Sequence, residues 1–194
     1  MTPRPPEAPS QEKADGQGSL VRYLVGLANQ ENRGPLAHLR REAANWPNCG
    51  GGALEQVARF FGERPNPDRE DAMLLVATLF ALNPTTNDPP GADMGRVMRE
   101  TGRQRHAEDS TEARFQRLLG ARSPEELATY LRHAVQLAGG AGVPIGWSQL
   151  LKDVTTLLQA FRYGSADQRD WVIRRWARSY WSPDKRQDSP PEQP

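Results

Sequence analysis

Ten consecutive residues, Met73–Leu82 (MLLVATLFAL), carry no charge and a single hydroxyl, on Thr78. A helix over them is apolar almost all round, and such a helix is stable only where other elements enclose it. It is too short to cross a bilayer, which takes about 20 apolar residues. The rest of the chain must therefore supply a sheath for this segment. Local punctuation fits a helix here: Asp68 reads as its N-cap, Glu70 and Asp71 favour its positive N-terminal end, and Pro84 stops it.

The sheath is readable as further helices. Ser19 precedes LVRYLVGLANQ, in which Leu20, Leu24 and Leu27 make one stripe. Gly34 is placed to close that helix through positive φ, and Pro35 to open the next, with Leu36, Leu39 and Ala43 on one face. GGGALEQVARFFG gives a short third helix, and the loop NPTTNDPPGADMG is long enough to separate two packing units. A short basic helix, MGRVMRETGR, is followed by TEARFQRLLGA, which buries Phe115, Leu118 and Leu119. Ser123, Pro124 and Glu126 spell an N-cap, a first-turn proline and a capping box for a helix with Leu127, Leu131, Ala134 and Ala138 inside, ending at Gly139. WSQLLKDVTTLLQAF repeats the pattern, and Ser165 caps ADQRDWVIRRWARSYW.

No strand-period segment exceeds a few residues, so the expected fold is all-α: two small helical bundles packed together, about eight helices in all. The expected division is 19–105 and 106–181. Residues 1–18 and 182–194 are polar and rich in proline, and read as disordered tails.

The net charge is +1, which argues against a blanket nucleic-acid binder. The distribution is patchy, however. Arg169, Arg174, Arg175 and Arg178 crowd the last helix, and Arg96, Arg99, Arg103 and Arg105 the short basic one. Arginine outnumbers lysine 22 to 3, which suits bidentate phosphate recognition but also follows from codon bias in a GC-rich genome. With no long apolar run and no N-terminal apolar segment, a cytoplasmic location without a membrane partner is expected.

A search for chemistry finds no catalytic constellation. Cys49 is the only cysteine, which excludes an intramolecular disulfide and a cysteine-based zinc site. His38, His106 and His133 lie in different segments; the one helical spacing to a carboxylate, His38 to Glu42, reads as an exposed salt bridge. His106, Glu108 and Asp109 read as a solvated loop. The carboxylates of residues 68–71 are explained by helix-start electrostatics, and CGGGA lacks the Lys-Ser/Thr of a phosphate loop. The expectation is a binding protein without catalytic residue, metal or cofactor.

In the last helix, Val172, Ile173, Trp176 and Tyr180 share one side while Arg174 and Arg178 project from the other, flanked by Trp171 and Trp181. Tryptophan with arginine suits a protein interface, and equally the stacking of unpaired bases beside phosphate contacts. Packing against the other bundle or the C-terminal tail explains it as well.

Taken in order, LVRYLVGLANQENRGPLAHLRREA, DAMLLVATLFALNP, DMGRVM, STEARFQRLLGARSPEELATYLRHAVQLA, VPIGWSQLLKDV and VIRRWARSYW resemble the CasB family, the small subunit of the type I-E CRISPR Cascade complex. The marks are Leu-Arg-Arg at 39–41, Leu-Phe-Ala-Leu before Asn-Pro, Arg-Phe-x-x-Leu-Leu at 114–119 and Leu-Leu-Lys-Asp at 150–153, with Lys152 where arginine is the commoner residue. The resemblance implies a non-catalytic, all-helical subunit in antiviral defence, present as two copies beside other Cascade subunits. It implies contacts that brace the guide RNA–target DNA hybrid and hold the displaced strand, where base pairing carries the sequence information.

On that resemblance, the cationic groups expected at nucleic-acid backbones are Arg33, Arg40, Arg41, Arg96, Arg114, Arg117, Arg132, Lys152, Arg174, Arg175 and Arg178. Arg41 and Lys152 point furthest from the core, and Arg175 lies nearest the apolar stripe. The rival readings are a helical protein–protein scaffold that binds no nucleic acid, a helix-turn-helix regulator, and an enzyme using the carboxylates of residues 68–71.

Overall fold

The computed structural model describes residues 12–30 and 33–182. The outer parts of both proline-rich tails lie outside them. The described residues form nine α-helices: α1 (Glu12–Asn29), α2 (Arg33–Glu42), α3 (Gly51–Val57), α4 (Pro67–Leu82), α5 (Met94–Arg105), α6 (Glu108–Leu119), α7 (Pro124–Gly140), α8 (Trp147–Tyr163) and α9 (Ala166–Trp181), with a 3-10 turn at Ala58–Phe60.

The apolar segment is central, as its composition requires. Every residue from Ala72 to Ala81 is buried, and α4 touches α1, α2, α3, α7 and α8. The one hydroxyl in that stretch is satisfied internally, since Thr78 Oγ1 donates to the Leu75 carbonyl at 2.8 Å. The helix starts two residues earlier than the sequence suggested. Asn66 is the N-cap, accepting from the Arg69 N–H, while the Glu70 carboxylate accepts from the Asn66 N–H at 3.0 Å. Pro67 fills the first helical position, where its missing N–H costs nothing. Asp68 is thereby released from capping and turns inward.

Two other boundaries differ from expectation. Helix α1 begins at Glu12, not after Ser19: once a helix is nucleated, adding residues such as Lys13, Ala14 and Gln17 is cheap. Arg33 and Gly34 belong to the first turn of α2, and Gly34 is not among the positive-φ glycines, which are Gly91, Gly142 and Gly164. The capping box at the start of α7 is present, with the Glu126 N–H donating to Ser123 Oγ at 3.2 Å. The Glu126 carboxylate reaches back to the Arg122 N–H at 2.9 Å. His106, expected in a loop, is the left-handed residue that ends α5 (φ 49°), and Glu108 and Asp109 form the first turn of α6.

One continuous hydrophobic core runs through the described residues, and α4 packs against α7 and α8 as well as against α1–α3. Helix α5, which an expected boundary after residue 105 groups with the N-terminal helices, lies against α6, α7 and α9. Helix α8 contacts both α4 and α9. The loop between α4 and α5 is itself fixed to α8: the Trp147 indole donates to Thr85 Oγ1 at 3.0 Å and packs edge-on against Phe80, and the Ser148 N–H donates to Asp88 Oδ1 at 3.2 Å.

Candidate nucleic-acid interface

Helix α6 buries Thr111, Phe115 and Leu118, and Phe115 stacks on Tyr180 of α9 with ring centroids 4.4 Å apart. That stripe fixes the rotation of α6 and leaves Arg114 and Arg117 exposed. They line a groove of about 530 Å³ between α5, α6 and α7, together with Arg105, Tyr130, His133 and Leu137. Buried Met98 and Ala134 also line it, and no carboxylate does. The groove unites two of the expected residues with two cationic or basic groups that sequence reasoning did not select, Arg105 and His133. Arg105 ends α5, where it could be read only as one member of a basic run. Its guanidinium lies near the C-terminal end of α7, within 3.7 Å of where a side chain on Gly140 would begin, and a cation is favoured there.

On α9, Val172, Trp176 and Tyr180 are buried, Arg174 and Arg178 are exposed, and Trp171 remains 59% exposed. Arg175, adjacent in sequence, is only partly exposed and its guanidinium is bound from beneath. Its Nη2 is hydrogen-bonded to Asp153, which is only 1% exposed, and its Nε lies 3.8 Å from Asp93. Asp153 also accepts from the Trp176 indole at 2.7 Å and from Gln149 at 2.8 Å. Asp93 accepts from Ser179 Oγ at 2.7 Å while its other oxygen caps α5 through the Arg96 N–H. The guanidinium of Arg175 further lies 4.5 Å over the Trp171 ring. Arg175 is therefore a structural cation tying α9 to α8 and to the start of α5. Arg174 is partly spent on Asp170, at 3.4 Å.

The remaining expected residues are spread over the surface. Arg33, Arg41, Arg96 and Lys152 are exposed, and Arg132 is half-buried. Arg41 folds back on its own helix, donating to the Ala37 carbonyl at 3.3 Å. Arg40 has a structural task, because its Nε donates to the Ala81 carbonyl at 2.8 Å and so satisfies an acceptor at the end of α4.

The carboxylates near the start of α4 are engaged. Asp68, 3% exposed, pairs with Arg162 at 2.5 Å, and Asp71 lies 3.7 Å from the same guanidinium. Burial raises the Asp71 carboxyl above its ordinary value, against the pull of Arg162. Glu42 does not pair with His38: its carboxylate accepts from the Asn45 side chain at 2.9 Å and the Gly50 N–H at 3.1 Å, which holds its pKa below the usual carboxylate value. His38 instead packs where a side chain on Gly52 would stand. Among the described residues, no three His, Cys, Asp or Glu side chains are grouped so as to hold a metal. No described helix is long and apolar enough to cross a membrane.

The Cys49 thiol is half-buried, and desolvation with the nearby Glu42 and Asp71 charges pushes its pKa up to about 11. The reactive thiolate should then be about 0.1% populated at pH 8, and alkylation by iodoacetamide should run roughly 100-fold slower than for a free cysteine. A rate equal to that of free cysteine would show that the thiol is open to solvent.

The sequence profile of the CRISPR-associated protein Cse2 matches residues 35–181, so this is a CRISPR-associated protein. More narrowly, the chain belongs to the Cse2/CasB family. Its fold is similar to that of a Cse2-family CRISPR-associated protein from Thermus thermophilus, at 27% identity and a TM-score of 0.67 over 86% of this chain and 98% of that one. A structure of CasB from Thermus thermophilus matches at 27% identity and TM-score 0.68, covering 90% of this chain and 100% of the other. CasB from M. ruber matches at 26% identity and TM-score 0.64, covering 86% and 92%. Among curated proteins there is no significant match.

Proposed function

We propose that this protein is a non-catalytic small subunit of a type I-E Cascade surveillance complex, contacting nucleic-acid backbones to steady the guide RNA–target DNA hybrid and the displaced single strand. The observation that carries the reading is a set of exposed cations that no described carboxylate neutralises. Arg33, Arg41, Arg96, Arg114, Arg117, Lys152 and Arg178 are exposed, and among the described residues none of them makes an ion pair. A cation held in solvent without a carboxylate partner is available to a phosphate, and arginine offers it two parallel donors. Arg40 and Arg175 are absent from this set because Arg40 is bonded to the end of α4 and Arg175 to the buried Asp153, and Arg174 is half-neutralised by Asp170. Partners on this reading are the other Cascade subunits, a second copy of the chain, guide RNA and both DNA strands. Base pairing supplies specificity in such complexes, and backbone contacts tip a nearly balanced strand exchange.

The test is fluorescence anisotropy of unrelated single-stranded oligonucleotides against the protein in a salt series. The expected log–log slope is several units and alike for all sequences, each neutralised phosphate contributing about −0.7. Charge reversal at Arg41 and Lys152 should shallow the slope and weaken retention of the displaced strand in the reconstituted complex. Strong preference for one duplex would favour a regulator. Absence of binding even at low salt would favour a pure protein scaffold.

A further inference from the structure

We propose that the groove between α5, α6 and α7 is a nucleotide seat, in which Arg105, Arg114 and Arg117 hold phosphate while an unpaired base lies against Tyr130 and Leu137. This rests on the backbone-binding function above and adds a subsite for the base itself. The groove combines two chemistries that phosphate binding alone does not require. Its rim is cationic on two sides, with Arg114 and Arg117 one turn apart on α6 and Arg105 at the end of α5. Its wall is apolar: Met98 and Ala134 are buried, and Tyr130 and Leu137, seven residues apart on α7, are half-buried. That spacing puts Tyr130 and Leu137 on one face of their helix, so a flat ligand can touch both.

At about 530 Å³ the groove falls within the range of small-ligand sites and exceeds what one base occupies. The absence of a lining carboxylate removes the repulsion that a phosphate would otherwise meet. By contrast, the exposed face of α9 around Trp171 sets Asp167 and Asp170 against Arg174, Arg175 and Arg178, so it is less strongly cationic than the groove. A base stacked on an aromatic ring beside arginine donors is the general arrangement by which single strands are held without sequence preference. His133 on the rim adds a further ring N–H donor.

The experiment compares two labelled strands of equal length titrated into the full-length protein at low salt: oligothymidylate, and a strand with the same phosphates but abasic sugars. Oligothymidylate is expected to bind at least fivefold more tightly, in line with the usual worth of one stacked base. Tyr130→Ala should close most of that gap while leaving the abasic affinity within about twofold, and Tyr130→Phe should keep the gap. Arg114→Glu with Arg117→Glu should weaken both strands together. Equal affinity of the two strands for the native protein would overturn the base seat while leaving the backbone reading intact. A gap that survives Tyr130→Ala and collapses in Trp171→Ala would place the base on α9 and overturn it too. If the arginine reversals changed neither strand, the groove would be assigned to something else, such as an acidic segment of a protein partner. Failure of both strands to bind the native protein would remove the backbone reading, and the seat with it.

Discussion

Replacing Asp153 by alanine is expected to cost about 3–5 kcal/mol of stability, the usual penalty for removing one partner of a buried charged pair. The carboxylate is 1% exposed and receives donors from three residues on two helices: Gln149 on its own helix, and Arg175 and Trp176 on α9. Its loss leaves the Arg175 guanidinium facing Asp93 alone and the Trp176 indole N–H, in a fully buried side chain, without an acceptor. Thermal unfolding should shift down by roughly 10 °C for a chain of this length. Asp153→Asn keeps an acceptor for the indole and should lose less. Replacing both members, as Asp153→Leu with Arg175→Met, should recover part of the loss, because the desolvation cost of the pair disappears with the pair. A melting temperature for Asp153→Ala within two degrees of the native value would show that the network contributes little.

Gly95→Ala is expected to be at least as damaging, although it adds a single methyl group to a helix. A Cβ on Gly95 would lie 1.9 Å from the carbonyl oxygen of Trp176 and 2.7 Å from its carbonyl carbon. Those are backbone atoms, so no rotamer change relieves the clash, and α5 and α9 would have to separate. Alanine is the better helix former by about 1 kcal/mol, so local propensity predicts the opposite sign. The close approach wins: the loss should exceed about 4 kcal/mol, among the largest seen for single substitutions. Gly120→Ala is the control, since a Cβ there meets carbonyl oxygens of its own preceding turn at 3.3 Å and 3.6 Å and no other helix. Chemical denaturation of the two variants side by side would separate the cases; equal midpoints would refute the close approach.

Gly95 also marks what sequence reading could and could not reach. The helical class followed from periodicity, and the enclosure of α4 followed from its having no polar face. The start of α7 was readable because Ser123 and Glu126 satisfy each other's neighbourhood within four residues of chain. Features decided by distant contacts were not. Asp68 looks like a cap in isolation, yet Asn66 and Pro67 take that place and a buried partner, Arg162, comes from α8. Ser19 looks like a helix start, yet the helix continues upstream through residues that propagate it.

The arginines divide in the same way. Arg174, Arg175 and Arg178 are alike as letters, and spacing alone marked Arg175 only as nearer the apolar stripe. Its internal partner, Asp153, sits on another helix next to Lys152, which is exposed. Arg105 and His133 were not selected because nothing on its own helix sets either apart; the groove exists only once α5, α6 and α7 are packed.

The half-buried thiol of Cys49 is expected to leave the native chain close to silent toward thiol reagents at neutral pH. A cysteine introduced at an exposed position, such as Gln116 on α6 beside the groove, would then be the one fast-reacting site. Spectroscopic reporters of strand capture can therefore be attached without first deleting the natural cysteine, and with α2, α3 and α4 around it undisturbed.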